Sequence, residues 1–258
     1  MSDRFDTLVV TRRTRLLEVV LNRPHRQNAL TRGMIAEMHR ALDMAEADPE
    51  IRVVALSGAG DTFCAGMDFV EAAAEPGDPA QLQPTIEAFY DLMDRFTRTR
   101  VVIAALVTGR VTAGGVGLVA ASDYVIAGPA ASFQLSEIVF GLLPATIAPF
   151  IIRRCGMQAA YRLSLTAQRI DAERAASIDL VDEVSATPED ALRQFLVRAA
   201  RVQPDCAAAL KGMFRDMWII NEETRRLAVE AISRQILRPE TVAGIRRFVQ
   251  DASPPWRT

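Results

Sequence analysis

The chain has 258 residues, of which 50% are hydrophobic and 24% are charged, and its formal net charge is −2. This balance predicts a globular protein and favours neither nucleic acid nor an anionic membrane as a partner. Asp3, Arg4 and Asp6 interrupt the N-terminus, so no signal peptide is expected, and no stretch approaches the ~20 apolar residues of a membrane span. Three cysteines, an odd number, favour a reducing cytoplasm over a disulfide framework.

Several kinds of chemistry are limited by the residues that are scarce. Lys211 is the only lysine, so a Schiff base would have to use it, and His25 and His39 are the only histidines. The sequence contains no histidine pair with metal-ligand spacing and no Cys-x-x-Cys, so we predict no metal and no cofactor.

Apolar patterns predict strands and helices first and helices alone afterwards. Strands are predicted at 7–11, 15–21, 53–56, 101–107 and 124–127, and helices at 31–47, 81–97 and 113–121, with a loop at 74–80. Further helices are predicted at 145–155, 157–165, 171–177, 188–202, 204–217, 221–237 and 239–250. We therefore expect an α/β core over residues 1–198 and a helical region over 199–258.

The first candidate motif is the segment 63–69, which contains Met67 and Asp68. It follows a strand and a glycine-rich turn and precedes a predicted helix. A helix N-terminus presents free backbone N–H groups, which can stabilise a developing oxyanion. An ordinary strand-to-helix turn would give the same pattern.

The second motif is the segment 112–117, which also lies between an apolar strand and a helix. Its glycines allow a ligand to approach the backbone closely. A rival interpretation is a dinucleotide fingerprint running from Gly115 to Ala120, with Glu137 as the acidic partner. That acid should end the next strand, yet the strand at 124–127 is followed by Gly128, which argues against nucleotide binding.

The third motif places Glu137 among apolar neighbours in the segment 133–141. Desolvation there would raise the pKa of the carboxyl group toward that of a usable general base. A surface glutamate near a helix start is the alternative.

Together, the three motifs and the segment 21–30 resemble the enoyl-CoA hydratase/isomerase (crotonase) family over nearly the whole chain. The resemblance implies an α/β fold, a crotonase-type ββα spiral core with a helical C-terminal trimerisation region, assembled as a homotrimer or hexamer. It implies no cofactor beyond a substrate carried on phosphopantetheine or CoA.

The resemblance also assigns roles by position. It implies oxyanion donors at the N–H groups of Met67 and Gly114, and a catalytic glutamate at Glu137, with Asp68 a weaker candidate for the partner acid. Contacts to the thioester and pantetheine are implied at Arg26, Ala29, Ala65 and Gly115. The second catalytic glutamate of the hydratases falls on Gly117, so hydration by two carboxylates is not available unchanged.

A closer likeness lies in the segments 131–156 and 244–256, which resemble the dehydratase of polyketide β-branching cassettes. That enzyme removes water from 3-hydroxy-3-methylglutaryl carried on an acyl carrier protein. The related decarboxylase relies on a lysine and a histidine, and this chain has no lysine near the first oxyanion loop. Alternatives are a CoA-linked hydratase, a Δ3,Δ2-enoyl isomerase, or a protein that only binds an acyl thioester. Arg110 is one candidate for holding the distal carboxylate.

Overall fold

The structure, a computed structural model, describes residues 4–69 and 82–251. The loop expected at 74–80, and nearly all of the helix expected after Asp68, lie outside these residues. Within them, ten strands and nine α-helices are assigned. The strands are β1 (Leu8–Arg13), β2 (Leu16–Leu21), β3 (Val53–Gly58), β4 (Thr62–Cys64), β5 (Val102–Val107), β6 (Arg110–Thr112), β7 (Tyr124–Ala127), β8 (Ser132–Gln134), β9 (Ile170–Asp171) and β10 (Glu183–Val184).

The described α-helices lie mostly in the second half of the chain. They are α1 (Arg32–Ala47), α2 (Leu82–Phe96), α3 (Gly114–Ala121), α4 (Ala148–Thr166), α5 (Ala172–Ala176), α6 (Pro188–Ala199), α7 (Pro204–Asp216), α8 (Glu222–Ile236) and α9 (Pro239–Asp251). Short 3-10 turns at Pro24–Arg26 and Glu137–Phe140 carry candidate site residues.

The strands form two sheets that the chain visits in alternation. The larger sheet has the order β1-β2-β3-β5-β7-β10, and the smaller has the order β4-β6-β8-β9. β3 passes to β4, β5 to β6 and β7 to β8, and a helix or 3-10 turn follows the second and third pairs. This repetition of two strands and a helix is the predicted ββα spiral. The loops that leave the small sheet carry the second and third motifs.

The core explains why the long elements were predictable. Apolar side chains of β3 and β5 are buried on both faces, as expected for central parallel strands. Thr31 caps α1 by accepting a hydrogen bond from the Met34 N–H at 3.0 Å, which confirms the predicted start of that helix. The sequence places Met34, Met38, Leu42 and Met44 on one apolar stripe of this helix; the first three are buried and Met44 is half-buried.

The break predicted between the helices at 145–155 and 157–165 is confirmed, because Gly156 within α4 has a non-helical φ of 74° and ψ of 165°, which kinks the helix there. The three-residue strands β4, β6 and β8 were not predicted, because so short a segment shows no period. No helix within the described residues is long and apolar enough to cross a bilayer.

Candidate active site

The first loop of the site is held in place by Asn28, which is fully buried. Its side-chain amide donates to the carbonyls of Ala59 and Thr62 at 2.9 and 2.6 Å, and its Oδ1 accepts from the Arg23 N–H at 2.8 Å. These bonds tie the loop after β2 to the turn between β3 and β4. The first motif therefore starts from a fixed position.

Met67 lies in a parallel bridge with Leu30. The Leu30 N–H donates to the Gly66 carbonyl at 2.7 Å, and the Asp68 N–H donates to the Leu30 carbonyl at 2.9 Å. In such a bridge the N–H of the middle residue points away from the partner chain. The Met67 N–H is therefore directed away from Leu30, and Met67 lines a cavity of about 750 Å³.

The second loop is in contact with the first. Gly66 has a φ of +85°, and a Cβ added there would lie 2.8 Å from the Ala113 Cβ and 3.4 Å from the Gly114 N. Gly114 is the first residue of α3, so its N–H belongs to the helix start and has no acceptor within the helix. Because Gly114 lines the same cavity as Met67, the two predicted oxyanion donors border one space.

Glu137 follows β8 at the start of a 3-10 turn and lines this cavity. Its Oε2 is shielded from solvent and has no hydrogen-bond partner among the described residues, although the residue as a whole keeps some accessible surface. Burial raises the pKa of Glu137 from an ordinary 4.5 to about 7, and a hydrogen bond from its own backbone opposes the shift. Such a carboxyl can accept and return a proton near neutral pH.

The position of a second hydratase-type carboxylate is filled by packing. A Cβ added at Gly117 would overlap the side chain of Ile147 and lie 2.9 Å from the Met93 sulfur. Ile147 is 1% exposed and Met93 is fully buried. A carboxylate cannot stand at position 117 without displacing this packing.

Asp68 is close to the cavity but is engaged by arginines. Its carboxylate accepts from Arg23 at 3.1 Å and lies 3.8 Å from an Arg26 nitrogen, and the residue is 5% exposed. Arg23 also donates to the Ala29 carbonyl at 2.9 Å. The Asp68 carboxylate therefore links the segment 63–69 to the loop after β2.

Three of the four residues expected to contact the thioester arm line the cavity. These are Arg26, Ala29 and Ala65. Gly115 is buried against Cys64, since a Cβ added to it would lie 2.7 Å from the Cys64 carbonyl oxygen. Its lack of a side chain lets α3 pack against β4.

The C-terminal helices contribute side chains that sequence reasoning missed. Ile232 and Ile236 of α8 and Phe248 of α9 line the cavity. Phe248 lies 4.9 Å from Phe140, centroid to centroid, and Phe140 lies 5.1 Å from Phe69. The amphipathic pattern of α8 and α9 predicted helices, but it could not indicate that their apolar faces close this cavity.

The fold agrees with the family comparison. The enoyl-CoA hydratase/isomerase profile matches residues 11–258. The chain belongs to the enoyl-CoA hydratase/isomerase family and is an enzyme of that type.

Individual relatives add detail. The chain is 31% identical to the bacillaene synthase dehydratase PksH of Bacillus subtilis (strain 168), over 98% of this chain and 97% of that one. It is 30% identical to the enoyl-CoA hydratase EchA19 of Mycobacterium tuberculosis, over 94% and 89%. The crystal structure of the Bacillus subtilis pksH protein superposes with a TM-score of 0.89 at 29% identity, covering 97% of this chain and 99% of that one.

Proposed function

We propose that the protein dehydrates a β-hydroxyacyl thioester, with 3-hydroxy-3-methylglutaryl on an acyl carrier protein as the substrate and 3-methylglutaconyl on the carrier as the product. The observation that carries the proposal is the partnerless Oε2 of Glu137 in a cavity bordered by two backbone N–H donors. Similarity to a bacillaene synthase dehydratase supports a place in polyketide biosynthesis.

The chemistry needs one proton carrier and one oxyanion site. Glu137 removes the proton from the carbon next to the thioester carbonyl, and negative charge moves to the thioester oxygen. The N–H groups of Met67 and Gly114 stabilise that oxygen; losing one such donor typically costs ~10²–10³ in rate. The C–O bond at the β-carbon then breaks, and the proton held by Glu137 leaves with the hydroxyl as water. Because Glu137 both removes and returns the proton, no second free carboxyl is required.

The direct test is an assay of water loss. Purified protein is added to 3-hydroxy-3-methylglutaryl on a carrier protein, and the mass of the acyl-carrier species is followed. The acyl-carrier species should become lighter by the mass of one water molecule, about 18 Da. A 3-enoyl thioester is run alongside, because a single free carboxyl is also what Δ3,Δ2-isomerisation requires. Isomerisation without dehydration would replace the proposal by that alternative.

The carrier is tested with the same acyl group on CoA. Arg26 and His25 are exposed residues at the cavity mouth, where they can meet acidic carrier helices. The carrier-linked substrate should have the higher kcat/KM, because contacts remote from the reacting atoms contribute binding energy. The advantage should shrink with added salt. An equal or higher kcat/KM for the CoA thioester at low salt would assign the enzyme to CoA-linked substrates.

A further inference from the structure

The outer face of the small sheet presents arginines beside the active-site cavity. Arg110 pairs with Ser132, and Thr112 pairs with Gln134. β8 pairs antiparallel with β9 through Phe133 and Ile170, and one residue beyond that pair Arg169 donates to the Gln134 side-chain oxygen. Alternate residues of neighbouring strands share a face, so these side chains lie on one side of the sheet. The opposite side carries the buried residues Val111, Phe133 and Ile170.

The guanidinium groups of Arg110 and Arg169 have neutral partners. Arg110 donates to the Gln27 side-chain oxygen at 2.8 Å, and Arg169 donates to the Gln134 oxygen at 3.4 Å. In the part of the chain that the structure describes, neither forms an ion pair with a carboxylate. Arg26, at the same cavity, is paired with Asp68. Arg110 and Arg169, here called the arginine pair, therefore keep charge available for an anion.

The arginine pair borders the space that holds the catalytic carboxyl. Arg110, Gln134, Arg169 and Glu137 all line one cavity. Gln134 is three residues before Glu137, so their Cα atoms are at most about 10 Å apart. The side-chain amide of Gln134 is itself fixed, since it donates to the Ala167 carbonyl at 2.8 Å.

We propose that Arg110 and Arg169 bind a carboxylate at the distal end of the acyl chain, which makes the enzyme selective for half-thioesters of dicarboxylic acids. The inference rests on the proposed function. Two anionic parts of the substrate could meet arginines: an acyl carboxylate and the phosphodiester of the phosphopantetheine arm. Arg169 contacts Gln134, which is three residues from Glu137. This placement favours the acyl carboxylate, because the phosphodiester lies at the far end of the arm from the thioester.

Electrostatics supports the same assignment. Glu137 must lose its proton to act as a base, and a second carboxylate bound nearby would disfavour its ionised form. Two guanidinium groups beside the incoming carboxylate offset that repulsion. A planar guanidinium also matches the two oxygens of a carboxylate.

The experiment measures selectivity as well as rate. Arg110→Gln, Arg169→Gln and the double variant are assayed with two substrates on one carrier protein: 3-hydroxy-3-methylglutaryl and 3-hydroxy-3-methylbutyryl, which lacks the distal carboxylate. Each variant should lose ~10–100-fold in kcat/KM for the carboxylate substrate, the usual scale for a hydrogen bond to a charged group. The double variant should change less than about threefold for the other substrate. Arg110→Lys should lose less than Arg110→Gln.

A matched control is Arg174→Gln, which removes an exposed arginine of α5 that bonds to Ser177. It should leave both substrates unaffected. Equal losses on both substrates would overturn the inference, because the arginines would then bind the shared arm or support folding. Unchanged kinetics on both would overturn it as well. If the wild-type enzyme dehydrates neither substrate, the proposed function fails; if it dehydrates either and the variants show no selectivity, only the inference fails.

Discussion

The carboxyl group of Glu137 titrates near neutrality because burial disfavours its charged form, and only its own backbone hydrogen bond opposes that effect. Its Oε2 has no partner in the described residues. No described cation neutralises it, in contrast to Asp68, which is held by arginines. Burial and partner charge therefore give the two carboxyl groups of one cavity different electrostatic environments.

Replacing Glu137 tests its role as the proton carrier. Glu137→Gln should fold and lose at least ~100-fold in turnover, the lower end of general acid–base contributions. For the wild-type enzyme, the ionised carboxyl is the base, so kcat/KM for dehydration should rise with pH and level off above the Glu137 pKa of about 7. Steady-state rates across pH 5–9, about two units on either side of that pKa, measure the transition.

Glu189→Gln provides the comparison, because Glu189 is an exposed residue in the first turn of α6. It should keep both the rate and the pH profile of the parent. Thermal melting of both variants separates loss of chemistry from loss of fold. Turnover of Glu137→Gln near the parent rate, or a transition that persists in it, would show that another group moves the proton.

Helix α3 starts at the cavity and is tightly packed in its middle. Ala113, which precedes it, has a φ of 49° and a ψ of −123°, a conformation that L-residues rarely adopt. One turn later, Gly117 leaves space for the side chain of Ile147. The backbone that presents the Gly114 N–H is thus fixed by its contacts on both sides.

Gly117→Ala should destabilise the protein even though alanine favours helix. The added methyl would overlap Ile147 and approach the Met93 sulfur, and overpacking of this kind costs about 1–3 kcal/mol. Chemical denaturation measures the change in the free energy of unfolding. The cost should be smaller in an Ile147→Ala background, because the two sites are in contact and their effects are not additive.

Gly212→Ala is the control for the intrinsic effect of alanine in a helix. Gly212 lies in α7, and a Cβ added there would meet nothing within 4 Å. This variant should be neutral or stabilised by up to about 1 kcal/mol. If Gly117→Ala behaved in the same way, the site at Gly117 would be able to accept a side chain, and the packing argument against a second carboxylate would be wrong.

Sequence patterns predicted the elements whose signal is long and local. The apolar strands β3 and β5 and the capped helix α1 belong to this group. β4, β6 and β8 have only three residues each, and pairing with other strands, which the sequence does not display, defines them.

The candidate site residues were named from the family resemblance, and their roles stay predictions. Met67, Gly114 and Glu137 follow strands of the small sheet and line one cavity. The neutral partners of Arg110 and Arg169, and the filling of the Gly117 space by Ile147, depend on segments distant in sequence. Only the folded chain shows these.

Lys211, the single lysine of the sequence, connects helix α7 to the core. Lys211 of α7 donates to the carbonyls of Phe96 and Val101 at 3.0 and 2.8 Å and pairs with Asp123 at 2.6 Å. The division of the chain at residue 199 stays a prediction. Around α7, however, a set of large apolar side chains remains exposed, each with 40% or more of its surface accessible: Val197, Val202, Leu210, Met213, Phe214, Met217, Trp218 and Ile219.

We expect this apolar surface to be the contact between copies of the chain. Large exposed apolar surfaces often mark protein–protein interfaces, and the prediction of a trimer or a dimer of trimers places the contact after about Ala199. Light scattering should therefore give a mass of about three or six times the 28.3 kDa of one chain. Phe214→Asp combined with Met217→Asp should lower that mass, because two charges would be buried without partners.

Val9→Asp is the control, because it places a charge at an exposed apolar residue outside the proposed contact surface. Val9 is 45% exposed on β1, far in sequence from α7, and its replacement should leave the mass unchanged. A stable wild-type monomer at micromolar concentration would contradict the predicted assembly itself. An oligomer that survives both aspartates at 214 and 217 would retain the assembly but move its interface away from α7. Lys211 joins α7 to the core, so the two aspartates could also disrupt the helix. Thermal melting of the double variant and the parent separates loss of association from loss of folded structure.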